Sequence, residues 1–191
     1  MKEVIVVLDF GSQYNQLIAR RIREKNVYSR ILPFNTDFDI IKELSPKGII
    51  LSGGPASVYQ KGAPKIDRRI FSLGVPILGI CYGMQAMVHT LSGKVAPTKK
   101  REYGSAELLI DDSKNLFLGI PARMTCWMSH QDVVERLPSG FENIAHSADT
   151  LFAAIMDKKR RFFGVQFHPE VAHTQYGSDI IENFLYKICG C

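Results

Sequence analysis

The chain has 191 residues, 46% hydrophobic and 23% charged, which fits one compact domain whose core needs no staples. Its formal charge is +5 with a pI near 9.0. The basic residues are nevertheless scattered, with short runs only at Lys99-Lys100-Arg101 and Lys158-Lys159-Arg160-Arg161, so they read as solvated turns and argue against a nucleic-acid surface.

Residues 4–8 are mostly β-branched and wholly apolar, the pattern of a strand buried on both faces. They are too few for a secretory leader, and no apolar run approaches the roughly 20 residues that span a bilayer. Asp9-Phe10-Gly11-Ser12 closes this strand as a turn. Over residues 13–23, Leu17, Ile18 and Ile22 recur at helical spacing, with basic residues on the other face. A second strand is expected over 27–32, ended by Pro33, then a short helix over 37–44. The third strand, 48–51, runs into Ser52-Gly53-Gly54-Pro55, which continues neither element. Residues 65–73 read as helix, 75–80 as a fourth apolar strand, and 82–91 as a helix ending at Gly93.

Strand and helix alternating at this spacing imply right-handed parallel crossovers and a doubly wound α/β sheet. The second half changes character. Residues 107–110, 123–128, 151–156 and 162–167 are strand-like runs between turns, expected as antiparallel additions and the return into the main sheet. Residues 180–188 would form the closing helix. With no repeat or linker, residues 1–191 are expected to form a single domain. The four cysteines, Cys81, Cys126, Cys189 and Cys191, come without a secretory context and give no disulfide framework. The expected compartment is the cytoplasm.

The sharpest local feature is Gly79-Ile80-Cys81-Tyr82-Gly83, set between a buried strand and a helix. It has the form of a nucleophile elbow with cysteine as nucleophile, where small flanking residues permit the strained turn. A cysteine at a helix N-terminus also gains thiolate character from the helix dipole. Taken alone, a free cysteine more often fills a core. A thiol nucleophile needs a base and the base an orienting group; Phe167-His168-Pro169-Glu170, at the end of another apolar strand, offers His168 and Glu170. If the two strands are parallel, both groups emerge at the same sheet edge, where ligands gather. The backbone N–H of Tyr82 and that of Gly54 are candidate oxyanion donors. Of the remaining histidines only His130, after Met128-Ser129, is expected beside the site. The histidines and cysteines show no paired spacing of a zinc site, so no metal is expected.

Together, Ser52-Gly53-Gly54-Pro55, Gly79-Ile80-Cys81-Tyr82-Gly83-Met84-Gln85 and His168-Pro169-Glu170 resemble the motif set of class I (triad-type) glutamine amidotransferases, in order, spacing and coverage of the chain. The resemblance implies a flavodoxin-like, doubly wound, mostly parallel sheet with antiparallel additions in the second half. It also implies hydrolysis of the side-chain amide of glutamine through a γ-glutamyl thioester on Cys81. Cys81, His168 and Glu170 would be the triad, and Gly54 and Tyr82 the oxyanion donors. Gln85, Ser129, His130 and Gln131 would contact the α-amino and carboxylate groups of glutamine.

More narrowly, Asp9-Phe10-Gly11-Ser12-Gln13-Tyr14, Arg101-Glu102-Tyr103-Gly104, Trp127-Met128-Ser129-His130 and the ending Ile188-Cys189-Gly190-Cys191 are similar to glutaminase domains of the GMP synthase family. That implies ammonia passed to an ATP-pyrophosphatase domain or subunit that converts XMP to GMP. The glutaminase part would need no cofactor, while ATP and Mg2+ would belong to that partner, which is not within this chain. Two positions depart from the family pattern: Gln131 stands where glycine is usual, and Ser105 where histidine is often found. Two other readings of the same residues remain open. One is a different cysteine hydrolase of this fold, of the γ-glutamyl hydrolase kind; the other is a catalytically silent docking domain.

Overall fold

A computed structural model describes residues 3–191, apart from the side chains of residues 99–101. The basic run Lys99-Lys100-Arg101 therefore lies outside the side chains described. Among the described residues a single nine-stranded sheet runs in the order β2-β1-β3-β4-β9-β8-β7-β5-β6. Its first five strands are β2 (Tyr28–Pro33), β1 (Val4–Asp9), β3 (Gly48–Leu51), β4 (Ile77–Ile80) and β9 (Phe162–Val165), all parallel to one another. This is the doubly wound order of a flavodoxin-like fold, with β9 as fifth strand. The expected fold class is the observed one.

Period-two side-chain alternation explains why these strands are apolar throughout. Ile5 and Val7 enter one core cluster, with Ile18 and Ile22 of α1 (Asn15–Glu24) and Ile180 and Ile181 of α4 (Gly177–Glu182). Val6 and Leu8 enter a second, with Ile41 of α2 (Phe38–Glu43) and Met84, Met87 and Val88 of α3 (Tyr82–Thr90). Both faces of the parallel sheet are thus covered by helices and must be apolar. The last helix continues from α4 as a π-helical stretch, Asn183–Ile188, which brings the Cys189 sulfur against Gly48.

The antiparallel part comprises β5 (Lys94–Ile110), β6 (Arg123–Arg136), β7 (Glu142–His146) and β8 (Ala154–Asp157). The β5–β6 pair is much longer than residues 107–110 and 123–128 imply. Buried and half-exposed residues alternate along β6 from Met124 to His130, and its apolar runs, Cys126-Trp127-Met128 and Val133-Val134, are short and separated by polar residues. β7 lies outside the four expected strand-like runs, although the stretch around His146 reads as strand-like. The expected helix over residues 65–73 contracts to a 3-10 turn, Arg68–Ser72, in which Ile70 alone is buried. The Asp67 side chain accepts from Arg69 N–H at 2.9 Å and starts the turn there, and Gly74 at φ +73° turns the chain away.

Lys158-Lys159-Arg160-Arg161 forms an exposed turn as expected, but two of its side chains are tied down. Arg160 Nε reaches Asp157 Oδ2 at 2.6 Å, and an Arg161 guanidinium nitrogen donates to the Gly74 carbonyl at 2.8 Å. Among the described residues, no helix is long and apolar enough to cross a membrane.

Candidate active site

Strand β4 is buried at all four positions and delivers the chain to Cys81 at the C-terminal edge of the parallel sheet. The chain reverses there into α3 with no intervening loop, and Cys81 takes φ 50° and ψ −109°. A non-glycine residue held there costs of order 1–3 kcal/mol, a strain characteristic of functional turns. Two hydrogen bonds hold it in place: Cys81 N–H donates to Val165 O at 2.8 Å, and Gln85 N–H to Cys81 O at 3.1 Å.

The flanking glycines serve close approach rather than φ freedom, since neither has positive φ. A Cβ on Gly79 would sit 2.6 Å from Met84 N, and one on Gly83 only 2.2 Å from Leu51 O. Helix α3 therefore lies directly against the strands it caps, and its first seven residues are buried.

Because β4 and β9 are parallel, with Ile80 opposite Val165, the chain beyond β9 emerges at the same edge. His168 is seated by three contacts. Its N–H donates to Trp127 O at 3.1 Å, its carbonyl accepts from Thr174 Oγ1 at 2.6 Å, and its Nδ1 lies 2.8 Å from Glu170 Oε1. A carboxylate only accepts, so Nδ1 carries the proton and Nε2 is left for the site. Glu170 is fully buried, and its backbone carbonyl accepts from Arg21 Nε at 3.0 Å. Burial works against the charged imidazole, but hydrogen bonds to Cys81 and Glu170 and their charges outweigh it and raise its pKa to about 10. The imidazole is thus held in its charged form beside Cys81. Gly53 lies between them: a Cβ there would meet His168 Cε1 at 3.2 Å and Cys81 Cβ at 3.8 Å.

Cys81 and His168 open into a cleft of about 590 Å³, also lined by Gly54, Gln85, Ser129, His130 and Gln131. These are the residues expected there from sequence. Gly54 admits no side chain, since a Cβ would come 2.5 Å from Phe10 O. Tyr82 directs its side chain away from the cleft: its hydroxyl donates to Pro64 O at 2.5 Å, and burial pushes its pKa up to about 12.

The Gln85 amide nitrogen donates to Asp132 O at 2.9 Å and to Gln166 Oε1 at 3.1 Å, so both of its protons are committed and only its carbonyl oxygen is left for a ligand. His130 points its Nε2 toward Glu102 Oε2 at 3.4 Å, while Gln131 is exposed at the cleft wall. Elsewhere, His146 pairs with Asp111 and His173 packs on Trp127, outside the cleft. Cys126 is fully buried, and burial pushes its thiol up to about 12.

Sequence reasoning missed four residues here. Asp132, 4% exposed, is a carboxylate lining the cleft and accepts a hydrogen bond from the Tyr59 hydroxyl. Tyr14 sets its ring edge on His168 at a centroid distance of 5.4 Å. Gln166 reaches the Cys81 sulfur, and Thr174 carries the His168 carbonyl. Only Asp132, adjoining Ser129-His130-Gln131, carried a signal in its spacing.

Comparison with known proteins agrees with this geometry. A family model, Glutamine amidotransferase class-I, matches residues 6–188. The chain is 57% identical over 189 residues to the glutamine-hydrolyzing GMP synthase of Acetivibrio thermocellus, and 56% identical over 189 residues to that of Enterococcus faecalis. Each match covers 99% of this chain but only 37% and 36% of those longer proteins. Among solved structures, a GMP synthase subunit from Thermoplasma acidophilum superposes with a TM-score of 0.88 at 32% identity, covering 99% of this chain and 94% of that one. A glutamine amidotransferase of Thermotoga maritima, at TM-score 0.71 and 19% identity, shares the fold; the match covers 98% of this chain and 83% of that one.

Proposed function

The chain belongs to the class-I glutamine amidotransferase family, and on that basis we propose that it hydrolyses the side-chain amide of glutamine and delivers the ammonia to an ATP-dependent synthetase partner that converts XMP to GMP. The supporting observation is the meeting of Cys81 with His168, backed by the buried Glu170, at one cleft whose wall holds Gly54 and a carboxylate, Asp132.

In this reading the Cys81 thiolate attacks the amide carbon of glutamine. The oxygen that becomes negative is met by the N–H groups of Gly54 and Tyr82, fixed in place before the charge develops. His168, as imidazolium, gives a proton to the departing nitrogen, and ammonia leaves behind a γ-glutamyl thioester. Water then attacks the thioester while His168 takes its proton, and glutamate departs from the restored thiolate. Glu170 holds the imidazole in one tautomer throughout. Asp132 is suited to the α-ammonium group of the substrate, with Ser129, His130, Gln131 and the Gln85 carbonyl around it. The glutaminase chemistry uses no cofactor; ATP and Mg2+ act in the partner, an ATP-pyrophosphatase domain or subunit of the kind expected in the longer relatives.

Treatment with an electrophilic glutamine analogue, mapped by peptide mass spectrometry with and without excess glutamine, tests this reading. A single adduct on Cys81, suppressed by glutamine, is the expected result. Labelling spread over Cys126, Cys189 and Cys191 without glutamine protection would overturn it.

A further inference from the structure

We propose that Gln166 is a further catalytic residue of this site, a neutral amide donor that holds the Cys81 sulfur as thiolate; this rests on the reading of Cys81 as nucleophile. Gln166 follows the last residue of β9 and is fully buried. Its Nε2 donates to Cys81 Sγ at 3.6 Å, and its Oε1 accepts from Gln85 Nε2 at 3.1 Å. Its backbone N–H donates to Ala153 O at 2.8 Å, so the sheet fixes its position.

A chain of obligatory partners fixes which end of the amide faces the sulfur. The carbonyl of Asp132 can only accept, so the nitrogen of Gln85 must face it, at 2.9 Å. The second proton of that nitrogen goes to Gln166 Oε1. The NH2 group of Gln166 is therefore turned toward Cys81. The reverse orientation would set two NH2 groups against each other and aim a carbonyl oxygen at the sulfur.

The sulfur sits among groups of opposing effect. The Ser129 carbonyl, 3.7 Å away, accepts from the thiol and disfavours the anion. His168 favours the anion, with Glu170 behind it, and His130, Asp132, Tyr14 and Tyr103 are the other titratable groups lining the cleft. His168 changes its protonation during turnover, so its attraction for sulfur comes and goes. Gln166 has no proton to give up at working pH. Its donation persists when the thiolate attacks and again when the thiolate is the leaving group.

The test is the pH dependence of Cys81 alkylation by iodoacetamide, read from its own peptide by mass spectrometry in Gln166→Met and Gln166→Leu. The readout needs no glutamine turnover, so failure of the glutaminase reading leaves it interpretable. A hydrogen bond to a charged group is worth enough to raise the Cys81 midpoint by about one pH unit when the donor is lost. The Cys126 peptide of the same samples is expected to keep its profile. A Cys81 midpoint unmoved in a variant that retains cooperative unfolding overturns the proposal. So does a uniform drop in rate at every pH, which would mark a packing role alone. Two apolar replacements of different shape guard against one of them failing to fold.

Discussion

His168 Nδ1 lies 2.8 Å from Glu170 Oε1, with Glu170 fully buried and its second carboxylate oxygen unpartnered among the described residues. The whole negative charge of Glu170 is therefore directed at one imidazole. Burial opposes the charged ring, but Cys81 and Glu170 outweigh it and raise the folded pKa to about 10, against about 6.5 for an unfolded histidine. A raised folded pKa contributes stability that is complete below the unfolded value and lost as pH rises through the folded one. The unfolding free energy contributed here is expected to fall between about pH 6.5 and pH 10. Urea titrations across that window should show this decline in the parent protein and a flatter profile in Glu170→Gln.

Gly53 leaves open the contact between Cys81 and His168. An alanine there places its methyl 3.2 Å from His168 Cε1, tight enough to displace the ring without unfolding the sheet. Glutamine hydrolysis by Gly53→Ala is expected to drop by roughly tenfold or more, since small misplacements of catalytic groups are costly. Its thermal midpoint should stay near the parent's. Steady-state ammonia release alongside a melting curve separates the two effects.

Gly83 answers to packing instead. A methyl there would lie 2.2 Å from Leu51 O, a backbone atom of β3 that cannot swing aside. Overpacking of this kind costs about 1–3 kcal/mol. Calorimetry on Gly83→Ala should show a midpoint lowered by roughly 2–12 °C, at about 2–4 °C per kcal/mol for this size. A midpoint within a degree or so of the parent's would mean that α3 can lift from the sheet.

Thr174 bridges His168 to β6: its hydroxyl donates to His168 O at 2.6 Å and accepts from Trp127 N–H at 3.0 Å. Thr174→Val leaves both backbone groups short of a partner, at a cost of about 1–3 kcal/mol. In kinetics the effect should fall on kcat more than on KM, since the residue seats His168 and does not line the cleft. A change confined to KM would contradict that role.

Asp132 is a cleft carboxylate whose side chain accepts from the Tyr59 hydroxyl. If it receives the α-ammonium group, Asp132→Asn should raise KM for glutamine by tenfold or more, from the loss of a charge-assisted bond worth roughly 1.5–3 kcal/mol. Tyr59→Phe should change KM far less, because it removes only a competing donor. Equal effects in the two variants would point to the tyrosine–aspartate bond itself as the important contact.

Much of the fold was legible in residue order. The third strand coincides with β3, because its apolar run is bounded by Lys47 and by Ser52-Gly53-Gly54-Pro55. The strands before Cys81 and His168 were legible for the same reason: burial on both faces leaves an uninterrupted apolar signature. The full length of the β5–β6 pair was not, because along β6 the alternation of buried and half-exposed residues resembles ordinary surface chain. The residues at the elbow and at His168-Pro169-Glu170 could be named from their spacing, because strained turns and sequence-near partners are local properties.

Other features exist only once distant segments meet. Gly79 and Gly83 are glycine because α3 lies on β3 and β4, which their own φ angles do not reveal. Gln166, read as one more residue of a strand, faces sulfur because β9 pairs with β4, and Gln85 fixes its orientation from helix α3. Sequence by itself determined the runs of the parallel sheet, the elbow and the pairing of His168 with Glu170. The tertiary structure decided which buried polar groups complete the site, because a buried donor is satisfied by whichever acceptor packing brings within about 3 Å, however far away in the chain.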